Sequence, residues 1–303
     1  MTSRAFGLVG APSSAGARTA GIEQAPRALR DAGLAASLRA AGHEVHDHGD
    51  LPVERWRPDP AHRTAQNAGR VAAVAGRVAA RGADALAPGR LPLVLGGDCT
   101  VTVGALAGWV RHRGDIGLLY VDGGLDLTTP ATSTEQGHMD AMGVAHLIGE
   151  PGCADALCRV GPRTPLLAPD DVVYAGVCRG PDDDPEEQVR RHAMVTHTVD
   201  TIRGRAHAAA TDVLAGLDAR ERPFLVHLDV DVVDHLDLPI ADIPADHDGL
   251  SLADTMAFVS TVARSRWFGG LVVTEVNPDH ATPETGGVAR LVRELADALA
   301  PAA

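Results

Sequence analysis

A three-layer α/β/α sandwich with a mainly parallel central sheet is the fold this sequence predicts, and two observations carry that expectation. Short apolar runs ending in Gly, Asp or Pro alternate with Ala- and Arg-rich helical stretches, the pattern of strands joined by crossover helices. Several of those runs are apolar at nearly every position rather than every second one, as strands covered on both faces must be.

The elements follow in order. Residues 6–10 (FGLVG) form the first expected strand, and a helix is expected over 26–40 with Pro26 in its first turn. HEVHDHGD at 43–50 reads as a short strand and loop. A helix over 61–87 is stopped by Pro88 and Gly89 before PLVLGG at 92–97. Further strands are expected at 117–122, 171–177, 224–231 and 270–276. No internal repeat or low-complexity linker divides the chain, so one domain over 1–303 is expected, with PDDDPEE at 181–187 as a solvated acidic loop.

Composition narrows the function. The net charge is −13 and no lysine occurs, so the clustered cations that neutralise phosphates are missing and nucleic-acid binding is not expected. No run of about eighteen apolar residues is present, which argues against a membrane helix and for a cytoplasmic protein. Aromatic residues make up only 3%, so Val, Leu, Ile and Ala must build the core. The four cysteines (Cys99, Cys153, Cys158, Cys178) show no CxxC pair, and disulfides are not expected. Alanine-rich, arginine-only usage points to a GC-rich bacterial genome.

Four motifs stand at expected strand ends: GGDCT at 96–100, DGGLD at 122–126, HLDVDVVD at 227–234 and TEVNP at 274–278. In an open parallel sheet, ligands bind at the carboxyl ends of the strands, so Asp98, Asp122, Asp126, Asp229, Asp231 and Glu275 should converge on one rim. Several carboxylates at close quarters repel one another unless cations or protons neutralise them, and a divalent metal is the simpler answer. Period-2 alternation places His227, Asp229 and Asp231 on one side of their strand, which makes His227 a candidate ligand too.

With GAP (10–12), GIEQAPRALR (21–30), AGL (32–34) and HGD (48–50), these motifs resemble the ureohydrolase family of arginase, agmatinase, guanidinobutyrase and formiminoglutamase over nearly the whole chain. That resemblance implies the arginase-like three-layer fold, assembly into homo-trimers or hexamers, and a small-molecule substrate. It also implies a binuclear manganese centre that activates water for attack on a guanidinium carbon. The family motifs read GGDH, DAHxD and SxDxD. Asp122, Asp126, Asp229 and Asp231 match the metal carboxylates, but Cys99 and Gly124 stand where histidines are usual, and His227 replaces the serine. Cys99 with Asp122, Asp126 and Asp229 would serve one ion, manganese by resemblance, with zinc or iron favoured by the softer thiolate.

The substrate side departs as well. In TSTEQGHMDAMGVA (132–145), which resembles the family's SGNxHGxPxA loop, Asp140 takes the place of the proton-shuttling histidine and His138 lies two residues earlier. Glu275 matches the glutamate that pairs with the guanidinium group, while the usual GTP reads Asp242, Ile243, Pro244. The expected activity is therefore metal-dependent hydrolysis of a C–N bond in a guanidine, amidine or amide of bacterial specialised metabolism. In it Asp126 accepts a proton from water and His138 or Asp140 protonates the leaving nitrogen. The alternative keeps the fold without metal, as an acid–base enzyme for cyclisation, elimination or isomerisation, or as an inactive binding subunit.

Overall fold

The protein, seen here as a computed structural model, is described over residues 3–133, 137–178, 186–243, 248–282 and 286–301. Its strands are β1 (Ala5–Ala11), β2 (Glu44–Asp50), β3 (Arg90–Gly96), β4 (Gly117–Val121), β5 (Val172–Val177), β6 (Val195–Thr198), β7 (Phe224–Asp229) and β8 (Phe268–Thr274). They form one eight-stranded sheet in the order β2-β1-β3-β8-β7-β4-β5-β6, and every pairing is parallel. The helices are α1 (Ala25–Asp31), α2 (Leu34–Ala40), α3 (Ala68–Ala85), α4 (Val101–Arg113), α5 (Gly143–Ile148), α6 (Asp155–Cys158), α7 (Glu186–Arg191), α8 (Val199–Ile202), α9 (Ala206–Asp218), α10 (Leu252–Val262) and α11 (Gly287–Leu299).

Strand alternation sends successive side chains to opposite faces, and each face has its own core. Leu93, Leu95, Leu119, Val121, Val226, Leu228, Leu271 and Val273 pack against α1, α2, α9, α10 and α11. Val94, Leu118, Tyr120, Leu225 and Val272 pack on the other face against α3, α4 and α5. These two cores make the expected three layers. α3 buries Val71, Val74, Ala75, Val78 and Ala79, a stripe at helical spacing, against α4. The two helices approach so closely that a Cβ on Gly104 would stand 2.5 Å from the Ala75 carbonyl oxygen.

Three local expectations differ from the structure, each for a visible reason. The helix expected over 26–40 is two helices, because Gly33 adopts a left-handed conformation at φ 88° and turns the chain between α1 and α2. The helix expected from residue 61 begins at Ala68. Before it, Asn67 at φ 57° donates to the Arg57 carbonyl oxygen (2.9 Å) while Asp59 accepts from the Asn67 N–H (3.0 Å), which pins a turn. The strand expected to reach residue 231 ends at Asp229, whose carboxylate accepts the Asp231 N–H at 2.7 Å and folds residues 230–232 into a 3₁₀ turn. Most of the acidic segment at 181–187 lies outside the described residues, and Glu186 and Glu187 open α7.

The consequence for function is positional. The strands that precede the four motifs, β3, β8, β7 and β4, are consecutive neighbours in the middle of the sheet, so their carboxyl ends share one stretch of rim.

Candidate functional site

The floor of the site is a row of side chains across neighbouring strands. Parallel register sets Tyr174 beside Tyr120, Tyr120 beside His227 and His227 beside Val272. The His227 ring lies flat on Tyr120 with centroids 4.0 Å apart and planes 4° from parallel. His227 is fully buried, and burial pushes its pKa down to about 3, so its imidazole is neutral. Its Nδ1 meets the Thr102 hydroxyl at 2.7 Å in the first turn of α4, and its Nε2 points toward the motifs.

Around that Nε2 stand three further donors. Cys99 Sγ lies 3.5 Å away and the Asp122 Oδ2 oxygen 3.5 Å away. The Cys99 thiol donates to Asp229 Oδ2 at 2.8 Å. Cys99, Asp122, His227 and Asp229 are all buried, and each offers a ligand atom within 4.8 Å of the others. Asp122 Oδ1 accepts the Gly124 N–H at 2.5 Å, whereas its buried Oδ2 has no hydrogen-bond partner among the described residues. Such an orphaned oxygen is costly unless something else satisfies it. Burial, and then the neighbouring carboxylates, raise the pKa values of Asp122 and Asp229 well above the usual range, and burial likewise raises that of Cys99.

A second group adjoins the first through Cys99. Ligand atoms of Cys99, Asp140 and Glu275 also lie within 4.8 Å of one another. Asp140 Oδ1 accepts the Cys99 N–H at 2.6 Å. Glu275 is 3% exposed, and neither of its carboxylate oxygens has a hydrogen-bond partner among the described residues. Its backbone sits at φ 63°, held by its N–H to the Gly97 carbonyl (2.9 Å) and by its own carbonyl accepting from Asp242 N–H (3.0 Å). A strained conformation that its neighbours over-determine is a common mark of a site. Burial first, then Asp140, Asp229 and Asp242, raise the Glu275 pKa well above normal, and Asp140 is shifted in the same direction by burial and by Asp98.

The remaining residues singled out in the sequence are placed differently. Asp126, at φ 49°, accepts a hydrogen bond from the Tyr120 hydroxyl and belongs to neither donor group. Asp231 lies beyond the end of β7, so strand alternation no longer aims it; its Oδ1 accepts the Gly123 N–H at 3.2 Å, and burial raises its pKa to about 6. Asp98 is fully buried and accepts from Ser13 Oγ (2.8 Å), Gly16 N–H (3.1 Å), Thr100 N–H (3.2 Å) and the Thr100 hydroxyl, which makes it an anchor for the loop that opens α4. His138 is half-buried with Nδ1 3.4 Å from the Ala17 carbonyl oxygen, outside both groups. Asp242 accepts from Asn277 Nδ2 at 2.7 Å. Pro244 lies outside the described residues, as do residues 134–136 of the 132–145 loop.

Sequence reasoning missed Tyr120, Thr102 and Thr274. Tyr120 precedes Asp122 by two residues in a strand, a spacing that puts both on one face and could have revealed it. Thr274 Oγ1 lies 3.4 Å from both Cys99 Sγ and His227 Nε2, and only the fold brings it there.

Whether a pair of metal ions suits these residues can be judged from the donors. One ion is well served by a thiol, an imidazole nitrogen and two carboxylates that converge on an orphaned oxygen. A second is served less well: Gly124 offers no side chain, so only carboxylates remain there, with Asp231 tied at one oxygen to the Gly123 N–H and Asp126 at one oxygen to the Tyr120 hydroxyl.

Comparison with known proteins places this architecture. The chain is 30% identical to human arginase-1 over 292 residues, covering 93% of this chain and 88% of the relative. The arginase of Bacillus caldovelox superposes with a TM-score of 0.86 at 25% identity over 99% of both chains. Formimidoylglutamase of Bacillus subtilis superposes at 0.75 with 17% identity, over 98% of this chain and 86% of the other, and shares the fold. The model of the Arginase family matches residues 4–297, so this chain belongs to the arginase family of hydrolases.

Proposed function

We propose that this chain is a metal-dependent hydrolase that cleaves a C–N bond in a small cationic guanidine or amidine, in bacterial specialised metabolism. The observation that carries the reading is Glu275: a buried carboxylate held in a strained backbone, whose one side-chain neighbour of hydrogen-bonding kind among the described residues is a second acid, Asp140, and which meets no cation there. A planar amidinium or guanidinium presents parallel N–H donors and a positive charge, which together satisfy such an acceptor. A neutral amide supplies neither the charge nor the paired geometry, and is the less favoured of the three expected substrate classes.

A divalent ion held by Cys99, Asp122, His227 and Asp229 supplies Lewis-acid activation of water when bound. The protein's own groups do the rest. Glu275 orients the cation against the rim. Asp140, half-buried and anchored by the Cys99 N–H, is placed to hold a proton and pass it to the leaving nitrogen. It takes over that role from His138, which lies outside the cluster. The metal-free alternative leaves Asp122 Oδ2 buried and unsatisfied, which counts against it. No described helix is long and apolar enough to cross a membrane. A cytoplasmic homo-oligomer, trimer or hexamer, is what the family resemblance implies.

The test is a turnover assay over guanidines, amidines and amides with chelator-treated and metal-reconstituted protein. Metal-restored cleavage of a cationic substrate is expected. Equal turnover in both preparations, or no turnover with any guanidine or amidine, would overturn the reading.

A further inference from the structure

We infer that this site holds one divalent ion and not two, through a thiolate, an imidazole and two carboxylates from Cys99, His227, Asp122 and Asp229, and that its donors select zinc or ferrous iron over manganese. The inference rests on the metal-dependent reading above and goes further by fixing the number and kind of ion.

The inward atoms are aimed by contacts behind them. Asp122 is gripped at Oδ1 by the Gly124 N–H (2.5 Å) and leaves Oδ2 facing inward, 3.5 Å from His227 Nε2 and with no hydrogen-bond partner among the described residues. Asp229 is gripped at Oδ1 by the Asp231 N–H (2.7 Å) and turns Oδ2 toward Cys99. His227 is gripped at Nδ1 by Thr102 (2.7 Å), and its ring plane is fixed by Tyr120, so Nε2 faces inward. Each of the three therefore has one atom tied from outside and the other turned to the centre, where Asp229 Oδ2 meets the Cys99 thiol and His227 Nε2 lies 3.5 Å from both Cys99 Sγ and Asp122 Oδ2. Outer hydrogen bonds of this kind orient metal ligands and raise their basicity. Cys99 closes the set from the loop between β3 and α4.

The chemistry of the donors sets the kind of ion. Manganese prefers carboxylate, carbonyl and water oxygens, whereas a sulfur and an imidazole nitrogen in a four-donor set favour zinc or ferrous iron.

Gly124 has no need to be glycine on backbone grounds, since it is not among the residues with positive φ. A Cβ there would lie 3.3 Å from Asp122 Oδ1 and 3.6 Å from Asp126 Oδ1, with no other atom among its near neighbours. A side chain at 124 is thus sterically close to accommodated and would enter between two carboxylates. Its absence leaves that space without a nitrogen donor, lined only by carboxylates, with Asp231 tied at one oxygen to the Gly123 N–H and Asp126 at one oxygen to the Tyr120 hydroxyl.

Chelator-stripped protein is titrated with Zn²⁺ and with Co²⁺, ions are counted by native mass spectrometry, and the cobalt form is examined by absorption. One ion per chain is expected, with a thiolate-to-cobalt charge-transfer band in the near ultraviolet. In Cys99→Ser that band should vanish, and in His227→Asn the affinity should fall at least about tenfold. Gly124→His should take up a second equivalent. Two ions in the unmodified protein, or a cobalt spectrum without a thiolate band, would overturn the inference while leaving a metal-dependent hydrolase intact. No bound ion at all would overturn both. The unmodified protein's count and spectrum decide the matter even where a variant fails to fold.

Discussion

Tyr120 holds two parts of the site at once: its ring stacks on His227 with planes 4° apart, and its hydroxyl donates to Asp126. One buried residue of β4 therefore fixes both the plane of the histidine and a carboxylate in the loop that follows its own strand. Because the two contacts use different atoms, they can be separated by substitution.

Tyr120→Phe keeps the stacked ring and removes the donor to Asp126. Asp126 is half-buried and keeps other interactions, so loss of this one hydrogen bond should cost about 0.5–1.5 kcal/mol, and the midpoint of urea unfolding should fall accordingly while metal binding persists. Tyr120→Leu removes both contacts and should weaken metal binding as well, read by isothermal titration. If Tyr120→Phe loses metal as severely as Tyr120→Leu, the stacking is not what orients His227.

Glu275→Gln keeps the shape and removes the charge. If this carboxylate pairs with a cationic substrate, kcat/KM should drop about ten- to a hundredfold, corresponding to the 1.5–3 kcal/mol of a charge-assisted hydrogen bond. An unchanged kcat/KM would show that the substrate's cation lies elsewhere.

Stability of the metal-free protein should depend on pH in a stated direction. The folded pKa values of Asp122, Asp140, Asp229 and Glu275 are raised well above normal by burial, so the native state binds more protons than the unfolded chain and loses stability as pH rises. His227 opposes this between pH of about 3 and 6.5, because its folded pKa is depressed and folding there excludes a proton. Asp231 has finished contributing near pH 6. Above about pH 6.5 the histidine no longer opposes, so the raised carboxylates contribute only a fall in the thermal unfolding midpoint of the chelated protein as pH rises through their folded values, and bound zinc should flatten it. A chelated protein that gains stability from pH 7 to 8.5 would contradict the carboxylate assignment.

Cys99 should be the least reactive of the thiols. It is 3% exposed, and burial together with Asp229 raises its pKa; Cys153 and Cys178 are raised too but only half-buried, and half-buried Cys158 is lowered by its hydrogen bond with Cys153. Iodoacetamide followed by peptide mapping should modify the other three first in folded protein and Cys99 only after unfolding.

Much of this was legible in the sequence because the relevant strands are buried on both faces, and an all-apolar run followed by Gly-Gly-Asp or Asp-Gly-Gly leaves few other readings. β6 was not legible: it is a four-residue edge strand, VTHT, with no fully buried residue. The rim carboxylates were readable as strand ends, yet their division of labour was not. Asp98 looks like its neighbours in sequence, but Ser13 and Gly16, more than eighty residues away, turn it into an anchor. Asp231 followed the alternation of β7 on paper, and one backbone hydrogen bond to Asp229 ends the strand before it. Asp140 and His138 could be ranked only once the loop was placed, since only Asp140 reaches Cys99.

The most direct measurement is the metal content of protein purified without chelator, quantified per chain by elemental analysis, beside the same measurement on Asp122→Asn. Bound divalent metal in the parent and its loss in the variant are expected, since Asp122 presents the one orphaned oxygen of the four-donor group. A parent chain that stays metal-free even after incubation with zinc, iron and manganese, or a variant that keeps its full complement, would contradict a metal centre at this rim.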